Sequence, residues 1–240
     1  MIYTYDSEKV KQKQSELIRV VDGGYRWGKV QNDSDNNLLK DVIYNIRSID
    51  TLNSVMGERG LTEDQRSYCV KRWLQIMISK MDEYLFWCNP NVEKNPDNRG
   101  DWDFSVDGVK VDLKSTQFPY ELTEQGERIR DYLNNPEKTK ELIQFFYNHQ
   151  SKKVKDNSIR EKYNSRLFVV CHSNFGGIRT DKLKTCFELK YKIFSEFCSN
   201  VTDNLGWCQW SDDPDSLGQV IYICETERGK LNSSNFVTFK

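Results

Sequence analysis

The segment GDWDFSVDGVKVDLKST, residues 100–116, places several side chains that can do chemistry close together. Asp103 precedes an Asp-Gly dipeptide, and Asp112 and Lys114 follow it. Two carboxylates can share a hard divalent cation such as Mg²⁺ or Mn²⁺ through their oxygen atoms. A lysine beside them can orient an attacking water or balance phosphate charge. These residue types suit metal-assisted hydrolysis of a phosphodiester.

A β-hairpin would bring these side chains together. Asp107-Gly108 is a strong signal for a two-residue turn, and that turn would pair Phe104 with Val111 and Asp103 with Asp112. Because side chains alternate along a strand, one face of the hairpin should be core and the other polar. Carboxylates that face each other repel unless a cation lies between them or one binds a proton. The core face should hold Trp102, Phe104, Val106, Val109, Val111 and Leu113, and the polar face Asp101, Asp103, Ser105, Lys110, Asp112 and Lys114.

A solvated hairpin face of mixed charge is the alternative interpretation, with Asp101 and Lys114 as an ordinary surface ion pair. Two features favour a site instead. The two acids face each other rather than a lysine, and the chain leaves the hairpin through polar residues 115–117, which can also line a site.

The hairpin resembles the signature of the PD-(D/E)XK nuclease superfamily, in which an acid and a turn precede (D/E)-x-K on the next strand. The matching residues are Asp103, Asp107-Gly108 and Asp112-Leu113-Lys114, whereas Trp102 replaces the proline that usually precedes the first acid. The resemblance covers about residues 62–175. It implies an αβββαβ core of the restriction-endonuclease type.

The resemblance implies a Mg²⁺-dependent DNA endonuclease, with Mn²⁺ as a substitute metal. Such an enzyme would be a type II restriction enzyme that cuts double-stranded DNA as a homodimer, with a cognate DNA methyltransferase in the same system. Asp103 and Asp112 would bind the metal, and Lys114 would assist the attacking water. Glu83 or Glu63 of the preceding helix would add a ligand, and Asp101 is an alternative first acid. A non-catalytic nucleic-acid-binding or protein-binding module on a nuclease-like fold is the alternative function.

The rest of the chain predicts an α/β fold, a mixed central sheet with helices on both faces. We expect a helical accessory region over 1–61 and the nuclease-like core over 62–240. Two apolar runs, 166–173 and 219–225, are typical of strands buried on both faces. Helical patterns cover 6–21, 37–55, 63–86 with Thr62 as N-cap, 121–149 with a break at Asn134-Asn135-Pro136, and 181–198.

A basic stretch, 151–166, is the predicted contact with the nucleic-acid backbone. Its candidate side chains are Lys152, Lys153, Lys155 and Arg160. Acidic residues are interleaved with them, so a solvated surface is the alternative interpretation.

Composition narrows the class of protein further. The formal net charge is −1, which argues against a non-specific, histone-like nucleic-acid binder. The seven cysteines form no CxxC pair and are expected to be buried, reduced thiols of a cytoplasmic protein. Only two histidines are present, which disfavours zinc sites and Ser-His-Asp chemistry. Neither a secretory signal nor an apolar run of membrane-spanning length is evident.

Overall fold

A computed structural model of the protein describes residues 3–24, 38, 42–97, 102–151, 165–201, 206–211, 216–232 and 234–239. Its helices are α1 Ser7–Asp22, α2 Ile49–Glu58, α3 Glu63–Trp87, α4 Tyr120–Glu124, α5 Pro136–Ser151, α6 Gly177–Thr185 and α7 Phe187–Val201, with a 3₁₀ turn at Ile129–Asp131. Its strands are β1 Val92–Lys94, β2 Phe104–Val106, β3 Val109–Thr116, β4 Arg166–Ser173, β5 Cys208–Gln209, β6 Leu217–Glu227 and β7 Lys230–Leu231.

The strands form one mixed sheet, in the order β1-β2-β3-β4-β6-β5, with β7 also paired to β6. Strands β1, β2 and β3 pair antiparallel with one another, whereas β3, β4 and β6 run parallel. The long helix α3 precedes β1, and α4 and α5 connect β3 to β4. The chain from α3 to β4 therefore contains a helix, three strands, a helical connection and a fourth strand.

Helices cover both faces of the sheet, as predicted for the α/β class. Val111, Leu113 and Val169 point into a core that α1, α2, α3 and α7 complete. Phe168 and Tyr222 point to the opposite face, where they pack with α5 and the 3₁₀ turn. The N-terminal helices α1 and α2 share the core of α3, and the boundary at residue 61 stays a prediction.

Helices α1 and α3 and strands β4 and β6 confirm the predicted elements. Helix α3 begins with a capping box, because the Thr62 side chain accepts from the Gln65 backbone and the Gln65 side chain accepts in return. The predicted break before Pro136 is also confirmed, since Pro136 is the first residue of α5. The residues before that break are not one helix but the short helix α4 and the 3₁₀ turn.

Two other predicted helices are wrong in extent. The helix predicted over 37–55 is interrupted, because residues 44–48 are not helical and α2 begins only at Ile49, where the Ser48 side chain caps it. This helix continues past Gly57 to Glu58, and positions 37 and 39–41 lie outside the described residues. The helix predicted over 181–198 is two helices that meet at Cys186. The side chain of Gln14, on α1, accepts hydrogen bonds from the first two backbone N–H groups of α7. This cap comes from a distant part of the chain, so the local sequence does not reveal it.

Two predictions about the whole chain can be compared with the described residues. All seven cysteines are free thiols, and five of them are buried. Among the described helices, none is both long enough and apolar enough to cross a membrane.

Candidate active site

The predicted turn and register are present in the hairpin of β2 and β3. Asp107 and Gly108 both have positive φ, and Phe104 pairs with Val111 as expected. Phe104, Val106, Val111 and Leu113 are buried in one core, as predicted for the apolar face. Trp102 is half-buried and lies beneath Lys110 (5.3 Å) rather than in that core, and Ser105, predicted for the polar face, is buried.

The ladder changes at Asp103, directly beyond the last regular pair. The backbone N–H of Asp103 donates to the carbonyl of Val111 (2.9 Å), although Val111 is already the ladder partner of Phe104. The Asp103 carboxylate accepts from the Leu113 N–H (2.7 Å), and the Trp102 carbonyl accepts from Asn95 instead (2.6 Å). The predicted backbone pairs Asp103–Asp112 and Trp102–Leu113 are therefore not part of the ladder. Two residues facing one is the arrangement of a β-bulge, which re-aims a side chain.

Asp103 and Asp112 nevertheless interact through their side chains. Burial raises the pKa of Asp103 to about 6, against the hydrogen bond from Leu113 that lowers it. The charge of Asp112 and a side-chain hydrogen bond with Asp112 raise the Asp103 pKa further, while Lys114 lowers it. The structure thus brings the two predicted acids together, and the Asp103 carboxyl is partly desolvated there.

Two cations contact Asp112. Lys114 Nζ lies 2.8 Å from Asp112 Oδ1, and Arg166 Nε lies 3.6 Å from Oδ2. Arg166 pairs with Asp112 in the parallel ladder, and its guanidinium also lies over the Tyr147 ring (4.6 Å). The Arg166 side chain is 3% exposed and that of Lys114 is 38% exposed. Lys114 can therefore reach a molecule in the adjacent cleft, whereas Arg166 holds Asp112 in place.

Glu83, on α3, is the third acid near this pair. Burial raises the pKa of Glu83 to about 7, and the charges of Asp103 and Asp82 raise it further. Glu63 begins the same helix and is exposed. At 1.5 Å per residue it lies about 30 Å along the helix from Glu83, which excludes it from the site. Of the two helix acids considered, Glu83 is the one near Asp103.

A buried network that the local sequence does not reveal lies beneath the site. Helical periodicity alone would place Asp82 away from the apolar stripe of α3, yet its side chain is fully buried. Lys190 Nζ lies 2.8 Å from both of its carboxylate oxygens, and Ser115 Oγ donates to Oδ2 at 2.5 Å. Asp82 and Ser115 directly adjoin Glu83 and Lys114 along the chain. The network ties α3, α7 and β3 together at the level of the site.

The donor set can be compared with the needs of a Mg²⁺ ion. Within the described part of the chain, no three His, Cys, Asp or Glu side chains come close enough together to hold a metal. Mg²⁺ usually keeps several waters and uses only one or two carboxylates together with substrate phosphates. Asp103 and Asp112 meet that smaller requirement, and their mutual repulsion is the cost that a cation would remove.

The remaining predicted site residues lie outside the described part of the structure. These are Asp101, Lys152, Lys153, Lys155 and Arg160. Arg166, at the end of that basic stretch, is described and contacts Asp112. The sequence feature that marks Arg166 is its position as a charged residue at the start of an otherwise apolar strand, RLFVVCHS.

Comparison with models of known protein families, with curated proteins and with solved structures finds no match.

Proposed function

We propose that this protein is a Mg²⁺-dependent DNA endonuclease with a restriction-endonuclease-like core. The observation that carries the proposal is the direct interaction of Asp103 with Asp112, with Lys114 beside them. Asp103 and Asp112 would hold the cation. The Lys114 ammonium would orient the attacking water and offset negative charge that develops on the phosphate.

A divalent cation bound there would polarise the phosphoryl oxygen and lower the pKa of a water molecule. Asp112 is fixed for this role by Arg166 and by the hydrogen bond from its own backbone to Ser165 (2.9 Å). Asp103 is fixed by the Leu113 N–H. Pre-positioned charges of this kind need little reorganisation during the reaction, which is the main source of electrostatic catalysis.

The order of elements supports the same proposal. From α3 to β4 the chain has the αβββαβ order that the sequence resemblance implies. Asp103 directly precedes the second strand of that unit, and Asp112 lies on the third. Type II restriction activity, action as a homodimer on double-stranded DNA, and a cognate methyltransferase belong to this proposal as its more specific parts.

Cleavage of DNA tests the proposal. We expect purified protein to cut plasmid or phage DNA in Mg²⁺ or Mn²⁺ and not in EDTA. Asp112→Ala should abolish cleavage, and Lys114→Met should slow it by a factor on the order of 10²–10⁴. Methylated and unmethylated DNA should both be assayed, because a restriction enzyme acts on only one of them. Failure to cut either form in either metal would contradict the proposal.

A non-catalytic binding module is the second candidate. The observation that favours it is the absence, among the described residues, of three ligands close enough to hold a metal together. Binding of DNA with the same affinity in Mg²⁺ and EDTA, without cleavage, would support this candidate.

A further inference from the structure

A cleft beside the two acids carries an excess of positive charge. Its volume is about 630 Å³, and it lies between α3 and the part of β3 that extends beyond β2. Asp112 and Lys114 form part of its wall, so the cleft opens directly onto the candidate active site. Four cationic side chains and one carboxylate line it: Arg72, Lys114, Arg166 and Lys184, with Asp112. We refer to it as the basic cleft.

Two of the four cations already have a role at Asp112, whereas Arg72 and Lys184 do not. Lys184 contacts one carboxylate, Asp181, at 3.2 Å. Arg72 Nη1 donates to the neutral side chain of Gln75 (2.8 Å), and among the described residues no carboxylate lies within ion-pair distance of it. Arg72 Nε is a buried donor without an acceptor among those residues. A buried donor of this kind is unfavourable until an acceptor reaches it.

The charges of this cleft also act on a neighbouring lysine. Burial lowers the pKa of Lys71, and the positive charges of Lys184 and Arg72 lower it further, against the carboxylate of Asp181. Clustered like charges are unfavourable in the folded protein, just as the paired acids are. A bound cation would relieve the repulsion between the two acids, and a bound anion would relieve that within the basic cleft.

We propose that Arg72 and Lys184 bind a phosphate of the nucleic-acid backbone next to the phosphate that is hydrolysed. Arginine suits this role because its planar guanidinium presents several donors to phosphate oxygens at once. The inference deepens the proposed function: the substrate would be a polynucleotide with at least two adjacent phosphates, rather than a small phosphodiester.

Binding can be measured apart from cleavage by fluorescence anisotropy of a labelled double-stranded oligonucleotide. EDTA and the Asp112→Asn background prevent cleavage, and the substitution removes one charge that repels DNA. In that background, Arg72→Gln/Lys184→Gln should weaken binding on the order of tenfold. The dependence of log K on log salt should lose about one unit of slope, because each neutralised phosphate contributes about 0.9.

A matched control removes two exposed lysines that do not line the cleft, Lys11→Gln/Lys192→Gln. Charge-retaining Arg72→Lys/Lys184→Arg separates loss of charge from loss of folding, and it should keep most of the affinity. Equal weakening by the cleft and control variants would overturn the inference, as would no binding by the parent protein. The nuclease proposal fails separately, through absence of metal-dependent cleavage by the wild type.

A second comparison uses bis(p-nitrophenyl) phosphate, which contains a single phosphate. If the wild type hydrolyses it, Arg72→Gln/Lys184→Gln should lower kcat/KM for DNA by a larger factor than kcat/KM for the small diester. A parallel loss on both substrates would contradict a role in binding the adjacent phosphate.

Discussion

At the scale of single residues, the site holds acidic side chains whose burial destabilises the folded protein. Asp103 and Glu83 carry pKa values of about 6 and about 7, against ordinary values of 3.8 and 4.5. Burial is the main cause for both, and neighbouring acids add to it. Shifts of this kind cluster at functional sites, where burial and neighbouring charges tune acids for their task.

These raised pKa values predict how stability depends on pH. Between about pH 4 and pH 7 the folded protein should bind more protons at these two acids than the unfolded chain does. Their contribution to the free energy of unfolding is therefore present at low pH and is lost as pH rises through the folded pKa values. Glu225 has the opposite sign, since hydrogen bonds from Arg179 lower its pKa to about 2.

Urea unfolding over a pH series, without divalent metal, checks this. The wild type should lose stability between pH 5 and pH 7.5 relative to Asp103→Asn/Glu83→Gln, in which the two groups cannot ionise. The contribution of Glu225 is common to both proteins and cancels. Parallel pH profiles for the two proteins would show that the acids are not desolvated as the structure has them.

At the scale of elements, the buried Asp82–Lys190 pair fixes α3 and α7 against β3. Both side chains are fully buried, so removal of one partner leaves a charge without compensation. Lys190→Met should cost about 3–5 kcal/mol of stability. Asp82→Leu/Lys190→Met should recover most of that loss, because a well-packed apolar pair can replace a buried ion pair.

Chemical denaturation of the two single variants and the double variant measures this coupling. A single substitution that costs less than about 1 kcal/mol would contradict the burial of the pair. If the double variant is as stable as the wild type but cleaves DNA more slowly, the network positions Glu83 and Lys114 rather than only stabilising the fold.

The hairpin could be predicted from sequence because its signals are local. Asp107-Gly108 fixes the turn, and the alternation of Phe104, Val106, Val111 and Leu113 fixes the buried face. The bulge at Asp103 could not be predicted from the hairpin sequence, since the Trp102 carbonyl accepts a hydrogen bond from the Asn95 side chain and not from β3.

Features that depend on distant partners were missed. Asp82 lies 108 positions from Lys190, and helical periodicity alone, without that partner, would place its charge in solvent. The break at Cys186 has the same origin, because the cap of α7 comes from Gln14, 173 positions away. Arg166 belongs to the basic stretch 151–166 of the sequence. Its contact with Asp112 could be predicted only if β3 and β4 were known to be parallel neighbours.

At the scale of the whole molecule, opposite charges are segregated rather than in excess. The net charge is −1, yet an acidic group and the basic cleft meet at Asp112 and Lys114. The net charge therefore does not reveal this local surface, which suits the binding of a polyanion together with a cation. Both groups lie along the stretch of β3 that continues beyond its last pair with β2, Phe104–Val111.

The central claim is that Asp103 and Asp112 share a cation. Thermal unfolding at pH 7.5 during titration with Mn²⁺ or Mg²⁺ tests it most directly. Metal at about 100 times its Kd should stabilise the wild type by about 2.7 kcal/mol, which is about 5–10 °C in Tm for a protein of this size. The control Asp131→Asn, at an exposed acid outside the site, should respond as the wild type does. Asp103→Asn and Asp112→Asn should not respond, whereas an equal shift in all four proteins, or none in the wild type, would contradict the claim.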